Sequence, residues 1–410
     1  MFTQKLPLHF ISIIFYCLLL AIVGSFVSNA LLSISISILS ICGIGYFIGY
    51  GKFSIFNFCL IVLVSLSFFS IFWSSNAQEA WQRSIVKLPL LIMAIPLKNV
   101  LNKTQFKVVL ISLCACISVS IVLSLINYIS NYNLINEAYK RAKVMPIYFG
   151  GDHIRFSWLI VISMLLVFHS VKYINHKLLK KSSIIYLVFS FIFLHILAAK
   201  TGLLCLYVAI IFLTLAYLKK YTKQTIIALT ICIGLIIILF TTSQSFKNRV
   251  GYIFYDIENI KNGNFISGLS DGARILSWKA AISIGSNHAL YGVGFGDLKT
   301  NIEAWHQQYH PLSQPYEMFI TTNQFLIYYA AMGVIGVILF SACISMLLFY
   351  KNKHNFSNLY SLILLIPLIT DDSFERQHGI FVFAVGFLLA SYLMSIKTKE
   401  TSNATLKPLN

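Results

Sequence analysis

Along this chain the apolar residues neither alternate with polar ones nor stripe one side of a helix. They fill long runs nearly free of charge, at 8–25, 29–49, 53–73, 84–97, 107–130, 155–171, 183–199, 201–218, 225–242, 323–350, 357–370 and 379–396. A bilayer core about 30 Å thick takes roughly 20 residues of helix, so the pattern predicts twelve membrane helices. Barrel strands would be about ten residues long with alternating polarity. Two runs are weaker: 84–97 is short and holds Lys87, Pro89 and Pro96, and 357–370 is also short. The break between 183–199 and 201–218 rests on Lys200, Thr201 and Gly202 alone. The first run follows Lys5 and lacks a small-residue cleavage site, which predicts a retained helix rather than a signal peptide.

The connections divide the chain. Residues 1–242 carry helices 1–9, 243–322 form a large loop, 323–396 carry helices 10–12, and 397–410 form a tail. A second outward segment covers 131–154. Long loops in compact proteins are usually functional or disordered. The large loop is rich in aromatic residues (Tyr252, Phe254, Tyr255, Trp278, Trp305, Tyr309, Tyr316), and its bases and acids are equal in number. That composition predicts a folded cap. Within it, 271–285 reads as a helix started by Asp271 or Ser270, with Ile275, Trp278 and Ile282 on one stripe. The stretch Gly292-Val293-Gly294-Phe295-Gly296-Asp297 follows a helix rather than a strand, so it reads as tight turns and not as a nucleotide loop.

Composition agrees with the helix pattern. The 410 residues are 58% hydrophobic and 11% charged, with mean hydropathy +0.79. This is too little polar surface for a water-soluble globule. The formal net charge of +18 would suggest an acidic partner if it were spread evenly, but it is not. With twelve spans both termini share a side, and the short segments there hold 17 lysines against Glu400, about +16. The other side is close to neutral, at about +2. Lysine-rich loops face the cytoplasm, and an odd number of spans would scramble the separation. The eight cysteines all fall inside predicted spans, so no disulfide framework is implied.

The chemistry therefore concerns the few charges on the other side. Arg274, in the first turn of the 271–285 helix beside exposed amides, suits a phosphate oxygen; the alternative is a solvated arginine. Arg155 and Lys200 stand at span ends, where long side chains also snorkel. Asp371-Asp372-Ser373-Phe374-Glu375-Arg376-Gln377-His378 places five ionisable groups between two spans, a functional signal at membrane depth. Together Arg155, Lys200 and Arg274 would suit a lipid diphosphate. The first outward loop, about 26–28, has no carboxylate. Asp256 and Glu258 read as solvated loop charges.

Several motifs, in order, resemble the O-antigen ligase and polymerase superfamily. They are SDGARILSWKAAISIGSNHALYGVGFGD (270–297), TTNQFLIYYAAMGVIGVILF (321–340), AAKTGLLCLY (198–207), DHIRFS (152–157) and DSFERQHGIFVFAVGFLL (372–389). The resemblance implies an all-α integral membrane protein of the bacterial inner membrane. It further implies a metal-independent glycosyltransferase without a cofactor, working on the periplasmic face. Its donor would be an undecaprenyl diphosphate-linked glycan and its acceptor lipid A–core or a second lipid-linked glycan; no nucleic acid is involved. Of the family's two diphosphate-binding arginines, Arg274 matches one and Lys200 stands at the other. Where the family has a histidine as base, this chain has Thr322, followed by the matching Asn323. Threonine is no base near neutral pH. His153, His310, Glu375 and His378 are the outward candidates, with Glu375 or His378 favoured beside Arg376 in the charged cluster. A ligase is the first reading and a polymerase the second. A transporter is the rival from another class, though no internal repeat supports it.

Overall fold

A computed structural model describes residues 6–50, 54–141, 143–171, 176–218, 221–263, 265–266, 270–349 and 355–405. Helices occur in the order α1 (Leu8–Val27), α2 (Asn29–Tyr50), α3 (Ile55–Phe69), α4 (Ala77–Ile85), α5 (Leu97–Val100), α6 (Lys103–Ser130), α7 (Tyr132–Tyr139), α8 (His153–Ser170) and α9 (Lys177–Leu197). They continue with α10 (Lys200–Leu218), α11 (Thr222–Thr242), α12 (Gln244–Lys261), α13 (Ser270–Asn287), α14 (Leu298–Tyr309), α15 (Gln324–Phe349), α16 (Asn355–Thr370) and α17 (Gln377–Thr405). No strand occurs among the described residues. Of the lysines assigned to the lysine-rich side, Lys5, Lys52, Lys172, Lys219, Lys220, Lys351, Lys353 and Lys407 lie outside the described residues.

Among the described residues ten helices are long and apolar enough to cross a membrane: α1, α2, α6, α8, α9, α10, α11, α15, the first 19 residues of α17, and α3 with the turn after it. Many of their large apolar side chains point outward, among them Ile48, Ile129, Leu215 and Ile237, as expected where lipid replaces water. The apolar part of α16, Phe356–Thr370, is shorter. The expected helix at 84–97 is corrected. That stretch is the end of α4, a 3-10 helix over Leu88–Ala94 and the approach to α5. Pro89 and Pro96 lack the amide hydrogens a continuous helix needs. The longer segment that contains this stretch, 75–99, runs from one end of the bundle to the other. At one end the carboxylate of Asp297 accepts from the amides of Ser75 (2.6 Å) and Asn76 (3.0 Å). At the other, Asn99 reaches the hydroxyl of Tyr46, near the end of α2, at 3.5 Å. In between it presses on α2 so closely that a β-carbon on Gly43 would lie 2.3 Å from the carbonyl oxygen of Leu91.

The glycine-rich turn meets the expectation of tight backbone. Gly292 and Gly294 have φ of 65° and 86°, a region that favours glycine. The turn docks on a break in α15 at Gly333, where φ is 65° and ψ is −162°. Val293 N–H donates to Ala330 O (3.0 Å), Gly294 N–H to Ala331 O (2.8 Å) and Val334 N–H to Ala289 O (2.8 Å). The backbone groups freed by the break are thus met by another segment. The amides of Phe295 and Gly296 donate to the hydroxyls of Ser70 and Ser74. The cap helices α12, α13 and α14 are thereby fixed to the end of the bundle where α3 ends and α15 begins. All eight cysteines are free.

Candidate functional site

A cleft of 490 Å³ opens at the cap end, between the loop before α8, the start of α13, the segment before α15 and the α16–α17 junction. Six of the candidate binding or catalytic residues line it, His153, Arg155, Arg274, Thr322, Arg376 and His378, together with Asp371 and Asp372 of the charged cluster. Lys200, Asn323 and Glu375 do not.

Arg155 lies on the first turn of α8, which Asp152 caps by accepting from the Arg155 amide at 3.1 Å. Its side chain is 3% exposed and three carboxylates surround it. Nη1 meets Asp152 at 3.2 Å, and Nη2 meets Asp371 at 3.0 Å and Asp372 as well. Its expected role as a free cation for an anionic ligand is therefore corrected: its charge is already matched within the protein. Arg376 Nε reaches Asp372 at 3.3 Å, but its side chain is 60% exposed. Burial pushes Asp371 up to about 7, with Asp372 adding to the shift and Arg155 opposing it. One carboxyl of this network thus holds a proton easily, which lessens the excess of acid over base.

Arg274 differs. It is on the second turn of α13, half-buried, and donates to the carbonyl of Thr370 at 3.2 Å. It has no carboxylate partner among the described residues. The expectation that Asp271 or Ser270 caps the helix is corrected, because both lie inside it. The α13 amides are met from α12 instead. Asp271 N–H donates to Asp256 at 2.8 Å, and Ser270 N–H to the Tyr252 hydroxyl at 2.6 Å. Asp256 is consequently fully buried, not a solvated loop charge. These two amides are occupied, so Arg274 contributes its own charge rather than a share in an open helix terminus. Lys200, on the first turn of α10, pairs with Asp271 at 2.5 Å and keeps a quarter of its side chain exposed.

Thr322 lines the cleft and accepts from Trp278 Nε1 at 3.2 Å. Asn323 caps α15, its Oδ1 accepting from the amides of Phe325 (2.9 Å) and Leu326 (3.1 Å), the usual work of asparagine at that position. Glu375 as a base is corrected. It is 4% exposed, and its carboxylate meets Lys87 at 3.0 Å and Arg83 at 3.5 Å. It also accepts from Gln324 Nε2 at 3.1 Å. Its oxygens are taken up by these partners, and it does not line the cleft. His378 stands on the first turn of α17 against Phe149 and Gly150. A β-carbon on Gly150 (φ 57°) would lie 2.7 Å from its ring. Its Nε2 faces the carbonyl of Ser25 at 3.3 Å. A carbonyl can only accept, so Nε2 carries the proton and Nδ1 keeps the lone pair. His310 ends α14 among Phe265 and Trp305, away from the cleft lining.

The sequence reading missed Lys87, Arg83 and Arg249. Lys87 is fully buried, held by Glu375, by the Arg83 carbonyl at 3.1 Å and over the Phe295 ring at 4.3 Å. A charge followed by two prolines inside an apolar run was the available signal. Among the described residues no group of three His, Cys, Asp or Glu side chains is arranged to hold a metal ion.

No curated protein matches the chain. A family model described as O-Antigen ligase matches residues 185–341. That stretch covers α10 to α14 with most of α9 and α15, including Lys200, Arg274, Thr322 and Asn323. Over residues 185–341 the chain is thus similar to the O-antigen ligase family, the group its motifs resemble.

Proposed function

We propose that the protein is a glycosyltransferase that moves a glycan from undecaprenyl diphosphate to a sugar hydroxyl of lipid A–core, without a metal. The carrying observation is Arg274, a cation without a carboxylate partner in a cleft at the cap end, inside the stretch that matches the O-Antigen ligase family. In this reading the acceptor oxygen attacks the anomeric carbon, and the bond from that carbon to the diphosphate oxygen breaks. Charge builds on the departing diphosphate, and a fixed cation beside it lowers the barrier. Arg274 supplies that cation, and the more exposed Arg376 faces the same cleft. The acceptor proton passes to Nδ1 of His378, which takes the part of the family histidine that Thr322 lacks; His153 is the second imidazole on the cleft wall.

The lysine-rich side faces the cytoplasm with both termini, and the cap lies in the periplasm, in a bacterial inner membrane. A transfer assay tests the reading, using purified protein, lipid-linked glycan and lipid A–core, with and without EDTA. Transfer persists in EDTA, and Arg274→Ala and His378→Ala each lose about 100-fold or more. Lengthened lipid-linked chains would make the protein a polymerase. Lipid flipping without transfer would make it a transporter.

A further inference from the structure

The buried side of α12 is a mixed stripe: Ser245, Phe246, Arg249, Tyr252 and Asp256. Each polar member but one has a hydrogen-bond partner. Ser245 Oγ donates to Ile196 O at 3.1 Å, and the Tyr252 hydroxyl donates to Asp256 at 3.0 Å. Arg249 is the exception. It is 6% exposed, its Nε and Nη1 are buried without a hydrogen-bond partner, and it has no ion pair among the described residues. Its guanidinium lies 5.0 Å from the centre of the Tyr252 ring. Lys200 Nζ is 5.4 Å from the same ring. Arg274 follows one turn after Asp271, the partner of Lys200. Burial lowers the proton affinity of Arg249, opposed by Tyr252 and Asp271, while the charge of Arg274 adds to the lowering.

Three cations from three helices thus act on one another, Lys200 and Arg249 beside the Tyr252 ring and Arg274 in the cleft wall. The two nearby carboxylates have partners of their own: Asp271 pairs with Lys200, and Oδ2 of Asp256 accepts from the Tyr252 hydroxyl and the Asp271 amide, while its Oδ1 is buried without a hydrogen-bond partner. A buried guanidinium without a counter-charge is costly, and a ligand that brings the charge removes the cost. We infer that Arg249 is an anion-binding residue that, with Lys200 and Arg274, holds the two phosphates of a lipid diphosphate. The assignment rests on the proposed donor class and adds a residue to its binding. Lysine at position 200 offers no planar fork, and Arg249 supplies a guanidinium next to it.

The test uses the full-length protein in detergent, with farnesyl diphosphate and inorganic pyrophosphate as probes and ligand-induced thermal shift as readout. Arg249→Gln is expected to weaken both probes about 10- to 100-fold, the worth of charge-assisted hydrogen bonds. Without ligand its melting temperature stays at or above that of the unsubstituted protein. Arg249→Lys keeps the charge and falls between the two. Tighter binding of farnesyl diphosphate than of pyrophosphate identifies a lipid source; equal binding identifies the free anion and overturns the lipid assignment. Unchanged affinity in Arg249→Gln, or no binding of either probe by the unsubstituted protein, would overturn the inference. So would failure of Arg249→Gln to fold while Arg249→Lys folds, since that reveals a structural partner. The glycan-transfer assay run alongside separates the two readings. Transfer with Arg249-independent binding removes only this inference, and Arg249-dependent binding without transfer removes only the proposed reaction.

Discussion

Replacing Glu375 by Gln separates a structural carboxylate from a chemical one. In the protein Glu375 neutralises Lys87, which is fully buried at 3.0 Å from it. The amide would leave that ammonium without a counter-charge. Arg83 would lose its 3.5 Å contact but keep Glu79 at 2.8 Å. Breaking a buried pair from one side costs about 3–5 kcal/mol. The stem of Lys87 already packs by the Phe295 ring, so Lys87→Met in the Glu375→Gln background fills the same space without a charge. The double substitution should therefore recover most of the loss, to within about 1 kcal/mol of the unsubstituted protein. Equilibrium unfolding in mixed detergent measures all four proteins, and glycan transfer is measured on the same samples. Transfer by the double variant should stay within a few-fold of normal. A double variant that is stable and inactive would refute the reasoning and return Glu375 to the role of base. A single variant as stable as the unsubstituted protein would show that the ion pair contributes nothing.

Two further outcomes follow from the same geometry. Asp371 binds its proton more tightly when folded, up to about 7 against 3.8. Its contribution to stability is therefore full below about 3.8 and lost as pH rises towards about 7; Asp371→Asn should flatten the fall in melting temperature across that window, and an unchanged slope would show that another group causes it. Gly333→Ala should destabilise by about 2 kcal/mol or more, because φ is 65° and ψ is −162° there and a β-carbon would meet the Leu290 carbonyl at 2.4 Å; thermal unfolding checks it, and a neutral effect would mean that the break in α15 can close.

The apolar runs made most of the fold legible, because in lipid a run of the right length has few structures open to it. The 84–97 run deceived in its local form. Its two prolines and Lys87 were visible, yet the partner that makes a buried lysine tolerable lies on a distant segment. The site shows the same limit. Arg155, Lys200 and Arg274 look alike in the sequence, but Arg155 is surrounded by acid, Lys200 is paired, and Arg274 meets only a carbonyl. Charge type is local information, whereas charge compensation is tertiary. Arg249 was hidden for another reason. The stripe it belongs to has helical spacing, but polar residues occupy much of it, so a search for apolar periodicity passes over it.

The broken crossing from Asn76 to Asn99 has a consequence for how the chain is assembled. Its core residue Lys87 waits for Glu375, which is synthesised almost 300 residues later, roughly 15–60 s at ordinary translation rates. Until α17 arrives, the segment has neither a continuous helix nor a neutralised charge to hold it across the bilayer. It would therefore rest at the membrane surface or within the insertion machinery and enter last, drawn in as the final helix docks. The nascent chain is then most vulnerable to proteolysis between α3 and α6, and truncation before Glu375 should expose that stretch even though every residue of it has been made.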